Sequence, residues 1–283
     1  VTRKIIVGYD GSPDARRALT WALDEAARTG VPTELLYADE WPLWAPAASL
    51  APTVALRPES YVADKITKML DDAVRAAKET HPAVSVSATT AWSYAPAALI
   101  TSSAEAALVV VGGRGHSAVA GLLGSVSAAV SAHARCPVVV VRGDATGAEP
   151  VVAGIDGSAL ASAVLHFAAA QAMSRTVPLR VIRAWTPVIG PWEQGPALPR
   201  PVTAQERRPF DALLAVVRDA FPDLVIEAEA RVEHPAAVLT AASSTAQLLV
   251  IGSRGRGAVP GILLGSVSQH LLRHSACTVA VVH

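Results

Sequence analysis

The sequence predicts two tandem α/β domains, each an open, doubly wound, five-stranded parallel sheet. Three observations predict it. Short apolar runs alternate with amphipathic stretches along the whole chain, the pattern of buried strands separated by covering helices. The chain also repeats itself: IIVGYDGSPDARRAL at 5–19 matches VVAGIDGSALASAVL at 151–165, ALVVVGGRG at 107–115 matches LLVIGSRG at 248–255, and ARCPVVVV at 134–141 matches SACTVAVV at 275–282. Finally, 283 residues at 51% hydrophobic content supply enough apolar surface for two cores.

Each element of the first half follows from its residues. KIIVGYD at 4–10 is the first strand. Ser12 caps the next helix, Pro13 takes its first position, and Ala18, Leu19, Ala22, Leu23 and Ala26 recur at helical spacing until Gly30 stops it. VPTELLYADEW at 31–41 is the second strand, and the helix over 61–80 turns Ile66, Met69, Leu70, Ala73, Val74 and Ala77 inward. AVSVSATTA at 83–91 is the third strand, followed by a helix over 96–106 and a fourth strand ALVVVG at 107–112. A helix over 125–134 and a last strand PVVVV at 137–141 complete the unit. Because parallel crossovers are right-handed, this order gives an open sheet that receives ligands at the carboxyl ends of its strands.

The second half repeats the order with a drifting offset. Asp10 falls over Asp156 at 146, Gly112 over Gly252 at 140, and Cys136 over Cys277 at 141. Six residues are thus lost, mostly after the second strand, and one is regained inside the glycine-rich loop. RGDATGAEP at 142–150, small, polar and ending in proline, reads as the linker, dividing the chain into 1–146 and 147–283.

Composition narrows the partners. Lysine plus arginine equals aspartate plus glutamate at 24 each, so no overall field draws the molecule to nucleic acid or an anionic membrane, and neither is expected as a partner. The stretch 115–134 is interrupted by His116, Ser117, Ser125, Ser127, Ser131 and His133 and does not read as a membrane span. The chain enters a strand pattern at once, with no basic segment followed by an apolar one, so a cytoplasmic protein is expected. Cys136 and Cys277 are too few for a disulfide framework and too far apart in sequence for a zinc site, and are read as inert buried thiols.

The residues that promise chemistry lie at the carboxyl edge. In GSRGRGAVPGILLGSVSQ at 252–269, Gly252, Gly255 and Gly257 supply a turn and Gly265 with Ser266 opens a helix. Backbone amides at a helix N-terminus, aided by about half a positive charge, suit an anion. The Ser266 and Ser268 hydroxyls would join the cradle, with Arg254 or Arg256 at its rim. Neither G-x-x-x-x-G-K-[ST] nor a strand-following G-x-G-x-x-G is present. The alternative is a tight strand-to-helix connection that needs glycine only for geometry. Asp10 and Asp156 stand beside these loops, each before Gly-Ser; a carboxylate there either binds ribose, base or a phosphate-bound metal, or satisfies the amides of the next helix.

D-G-S after the first strand, together with Gly-x-x-Gly, nine residues and Gly-Ser after the fourth, resembles the universal stress protein family in its tandem two-domain form. The resemblance covers nearly the whole chain. It implies a Rossmann-like fold akin to the adenine nucleotide alpha hydrolases, and ATP, alone or with magnesium, held in the second half by Asp156, the second-strand end at Ile182, Gly252, Gly255, Gly265 and Ser266. In the first half the corresponding residues are Asp10, Ala38, Gly112, Gly115, Gly124 and Ser125. That half departs from the pattern: eight residues, not nine, separate Gly115 from Gly124, and Ser117 replaces a glycine. A residue lost just before the helix is expected to displace its amides and weaken the first site. The resemblance further implies that the last strands of the two halves pair as an internal dimer, and that two chains associate.

The function expected is that of an ATP-binding stress or signalling regulator with little or no catalysis and no catalytic residue assigned. The alternatives are a weak ATPase or other adenylate-processing enzyme, a cyclic-AMP binder, and a structural module with degenerate sites. The eight histidines are read as forming neither H-x-x-x-H nor H-E-x-x-H spacing, so none is assigned to a metal; His116 is either a phosphate contact or simply exposed. Trp41 and Trp185 close the second strands, as packing or as an adenine platform. The proline-rich loops that follow them, 42–58 and 187–201, read as lids or interface surface.

Overall fold

The computed structural model describes residues 3–40, 59–114, 123–143, 147–186, 201–255 and 263–283. The chain divides into units Val1–Val141 and Arg142–His283. The first unit runs β1 (Lys4–Gly8), α1 (Pro13–Thr29), β2 (Thr33–Ala38), α2 (Glu59–Thr80), β3 (Val86–Ala91), α3 (Ala95–Ser102), β4 (Ala106–Gly112), α4 (Ser125–His133) and β5 (Val138–Val141). The second runs β6 (Val151–Ile155), α5 (Ala161–Arg175), β7 (Leu179–Trp185), α6 (Ala204–Ala220), β8 (Ile226–Val232), α7 (Pro235–Ser243), β9 (Leu248–Gly252), α8 (Ser266–His274) and β10 (Thr278–Val282).

In the first unit the strands lie in the order β3-β2-β1-β4-β5, all parallel. The second has β8-β7-β6-β9-β10, again parallel throughout. Central strands covered by helices on both faces must be apolar at every position, which is why they read as continuous runs instead of alternating ones. Val7, Val109 and Val110 are fully buried, as are Val152, Ala153, Leu249 and Val250 in the second unit. Strand order reverses between β1 and β4, and between β6 and β9. The crevice beyond those two carboxyl ends is where this topology receives ligands.

Local chemistry sets the element boundaries. Ser12 accepts the Ala15 N–H at 3.2 Å with Pro13 in the first turn, so α1 begins where the sequence predicts, and Gly30 closes it in the left-handed region at φ 70°. In the second unit α5 begins only at Ala161, and its N-cap Leu160 offers no side-chain cap. The helix expected over 96–106 stops at Ser102; residues 103–105 turn, and Ala106 already belongs to β4. Thr203 and Glu206 form a reciprocal capping box at the start of α6. No helix among the described residues is long and apolar enough to cross a membrane.

At an offset of 146 from Gly30 stands Thr176, which closes α5 in the same left-handed conformation at φ 56°. A β-branched residue there bears a steric cost that glycine escapes. Thr176→Gly is therefore expected to stabilise the second unit by about 1 kcal/mol, measured as a higher urea midpoint.

Candidate functional site

In both units the aspartate follows the innermost strand, at the reversal of strand order. Asp10 Oδ1 accepts the Ser12 N–H at 2.9 Å, and Asp156 Oδ1 accepts the Ser158 N–H at 2.9 Å. One carboxylate oxygen of each thus shapes the D-G-S turn, as an aspartate two residues before an amide commonly does. The other oxygen of Asp156 faces the glycine loop: a Cβ on Gly255 would stand 2.7 Å from Asp156 Oδ2. Glycine at 255 is what lets the loop backbone lie directly against that carboxylate.

The loop returns to the sheet by the same set of bonds in each unit. The Gly124 N–H donates to the Gly113 carbonyl at 2.9 Å, and the Gly265 N–H to the Ser253 carbonyl at 2.8 Å. The hydroxyls of Ser127 and Ser268 donate to the Gly112 and Gly252 carbonyls at 2.6 and 2.7 Å. The N–H groups of Gly113 and Ser253 in turn donate to the carbonyls of Val141 and Val282 on the last strands. These bonds correct two expectations. Ser268 is buried and committed to the backbone, so it is a brace for the helix and not part of a phosphate cradle. The start of α4 is held like that of α8, so among the described residues the shorter first loop displaces nothing; the missing residue lies between the two pins.

Gly124 and Gly265 are the N-caps of α4 and α8, and neither helix start has a side-chain cap. Their backbone angles, φ −63° and −65°, are ones that any residue adopts. Among the described residues a Cβ would meet nothing nearer than 3.4 Å at Gly124 and 3.6 Å at Gly265. The described residues therefore leave room for a side chain at both positions, and capping chemistry would favour serine, threonine, asparagine or aspartate. What glycine provides is uncovered helix amides beside exposed Ser125 and Ser266.

Gly112 is different. A Cβ there would stand 2.7–2.8 Å from the backbone and Cβ of Asp14, so this glycine is demanded by the packing of α1 on β4. At Gly252 the nearest contacts are the Arg254 carbonyl at 3.2 Å and Leu160 Cβ at 3.4 Å.

Ile182 is not a second-strand end. Gly8 pairs with Leu36 and Gly154 with Ile182, so Ile182 corresponds to Leu36, and it is 1% exposed in the core. The true counterpart of Ala38, the last residue of β2, is Ala184. The same register sets Trp185 over Asp39 rather than Trp41. Asp39 is a buried carboxylate at the carboxyl edge that the sequence reading passes over, though A-D-E at a strand end is its signal. Trp185 lies under the Arg183 guanidinium, 4.6 Å from the ring centre, as a packing and cation–π contact. Gly115, His116, Ser117, Arg256, Gly257, Trp41 and the predicted lids 42–58 and 187–200 lie outside the described residues.

The remaining reactive groups stand apart from this edge. Cys136 and Cys277 are free and buried, and burial pushes their thiols up to about 11 and about 12, so both stay protonated and unreactive. Contrary to expectation, HLLRH at 270–274 does have an H-x-x-x-H spacing: the His270 and His274 rings lie tilted against each other on α8, 4.5 Å between centres. Partial burial, then the charges of His274 and His234, lower the His270 pKa. Among the described residues no group of three or more potential metal ligands assembles.

The sequence model of the universal stress protein family matches residues 2–142 and again 147–283. Universal stress protein Rv2005c of Mycobacterium tuberculosis is 32% identical over 98% of this chain and 96% of its own length. Universal stress protein Rv1996 of the same organism is 30% identical over 98% of this chain and 94% of its own. The crystal structure of a universal stress protein from Archaeoglobus fulgidus superposes with a TM-score of 0.72 at 18% identity, over 99% of this chain and 98% of that one, which shows the shared fold. The chain belongs to the universal stress protein family, with two copies of the family's domain in tandem.

Proposed function

We propose that this protein binds adenine nucleotide at the carboxyl edge of each unit, ATP in the second, and that occupancy serves as a regulatory signal instead of a step in turnover. The observation that carries the reading is the start of α8. A glycine that no described contact requires leaves the helix start without a side-chain cap, next to Arg254 and Gly255, and Gly255 in turn lies against Asp156. Phosphates would lie on those amides, where the helix dipole favours anions. Asp156, on the other side of the crevice, would accept a ribose hydroxyl or help hold magnesium, whose charge would offset that of the phosphates.

The same residues argue against efficient hydrolysis. Nucleotide turnover needs a positioned base and a cationic clamp. The 252–269 loop offers arginine as a clamp but no histidine or carboxylate as a base, and one oxygen of each aspartate is already committed to its own turn. The direct test is gentle purification, denaturation and mass spectrometry of what is released, counted per chain. An adenine nucleotide is expected. No released nucleotide and no binding of added ATP would overturn the reading, and repeated turnover to ADP would overturn its non-catalytic part.

A further inference from the structure

The two crevices differ in how they treat the arginine that follows the strand. Arg114 and Arg254 occupy the same loop position, one residue after the Gly113 and Ser253 carbonyls that receive the helix N-cap. Their Cα atoms lie 3.5 and 3.7 Å from where a Cβ of Gly124 or Gly265 would be, so both arginines stem from the phosphate edge. In the first unit Arg114 Nε donates to Asp14 Oδ2 at 3.2 Å, while Arg17 donates to Asp14 Oδ1 at 2.6 Å. Asp14 is only 9% exposed and anchors the pair against α1, while the Arg114 and Arg17 side chains, 41% and 43% exposed, meet solvent.

The second unit has no such carboxylate. At the offset of 146, Leu160 stands in the place of Asp14 and Ala163 in that of Arg17. The packing gives the same equivalence independently: Asp14 abuts Gly112, and Leu160 Cβ and Cδ1 abut Gly252 at 3.4 and 3.5 Å. Arg254 is exposed, as Arg114 is, but among the described residues its guanidinium enters no ion pair. Its planar fork of five donors is thus available to an anion at the helix start, where bidentate arginine–phosphate bonds are strong.

We propose that Arg254 makes the second site a reader of phosphate number, and that the Asp14–Arg114 ion pair withholds that reading from the first. One chain would then hold a site that prefers nucleoside triphosphate and a site indifferent to phosphate count. The proposal rests on the adenine-nucleotide reading above, and deepens it.

The test measures ATP and AMP affinities by calorimetry on the full chain, one site at a time. Ser125→Asp closes the first site and Ser266→Asp the second, each placing an acid at a helix start that tolerates it. With the first site closed, ATP is expected to bind about tenfold or more tightly than AMP. Adding Leu160→Asp, which supplies a tether for Arg254, should bring the ratio within about threefold and leave AMP affinity unchanged. With the second site closed the ratio should be near one, and Asp14→Asn, which keeps the shape but removes the charge, should raise it about tenfold. Urea midpoints confirm that each variant is folded. Adenylates that bind with a ratio unmoved by Leu160→Asp and Asp14→Asn would overturn the role of Arg254 and leave the nucleotide reading standing. Absence of any adenylate binding is the distinct result that removes the nucleotide reading, and this proposal with it.

Discussion

Ser266→Asp is expected to weaken ATP binding to the second unit at least about thirtyfold without loss of stability. Ser266 is the first residue of α8, exposed, directly after the glycine N-cap. An aspartate there places a carboxylate among the amides proposed to hold the phosphates, and sets two anions against each other. The same carboxylate suits the helix itself, since acidic residues in a first turn stabilise by about 0.3–1 kcal/mol. Opposite signs on binding and folding separate this variant from one that merely unfolds the site. Ser266→Ala should change affinity by no more than about threefold, because the amides and not the hydroxyl carry the phosphates. Calorimetry with ATP and urea unfolding on the same samples decide the matter. A Ser266→Asp protein that binds ATP as tightly as wild type would show that the nucleotide does not approach this helix.

The edge residues are readable from sequence where the signal is local and repeated. Asp10 and Asp156 recur before Gly-Ser, and Ser12, Pro13 and Gly30 mark the ends of α1 by their own backbone preferences. Register is not readable in the same way. Trp41 and Trp185 look like matching strand ends, and that false anchor draws Ile182 into the site; the pairing of Ile5 with Thr33 and Val151 with Leu179 shows a shift of two residues. The missing loop residue misleads for a similar reason. Counting predicts a displaced helix, whereas the Gly124 and Ser127 hydrogen bonds fix its start regardless of what the intervening chain does. Asp14 over Leu160 is plain in the aligned repeats, but its meaning requires knowing that Arg114, far along the chain, returns to the same spot.

Glycine is the residue whose purpose sequence conceals most, because one letter serves turn, packing and ligand approach alike. Gly112 and Gly252 occupy one motif position, yet the structure predicts that their replacement differs sharply. Gly112→Ala should destabilise the first unit by about 3 kcal/mol, since its methyl would meet main-chain atoms of Asp14 at 2.7–2.8 Å and either α1 or the end of β4 must move. Gly252→Ala should cost less than about 1 kcal/mol, because its tightest contact, a carbonyl at 3.2 Å, needs to give by only a few tenths of an ångström and Leu160 can repack. Hydrogen exchange read separately over the two units, alongside urea unfolding, distinguishes the outcomes. Equal small losses would mean that α1 is less firmly seated on β4 than its contacts imply, and would return Gly112 to the set of residues kept for the nucleotide alone. A large loss confined to the first unit would instead make its motif glycine a packing requirement of the fold. Binding there would then rest on Asp10, Gly124 and the amides of α4, which are the groups to alter when the first site is probed.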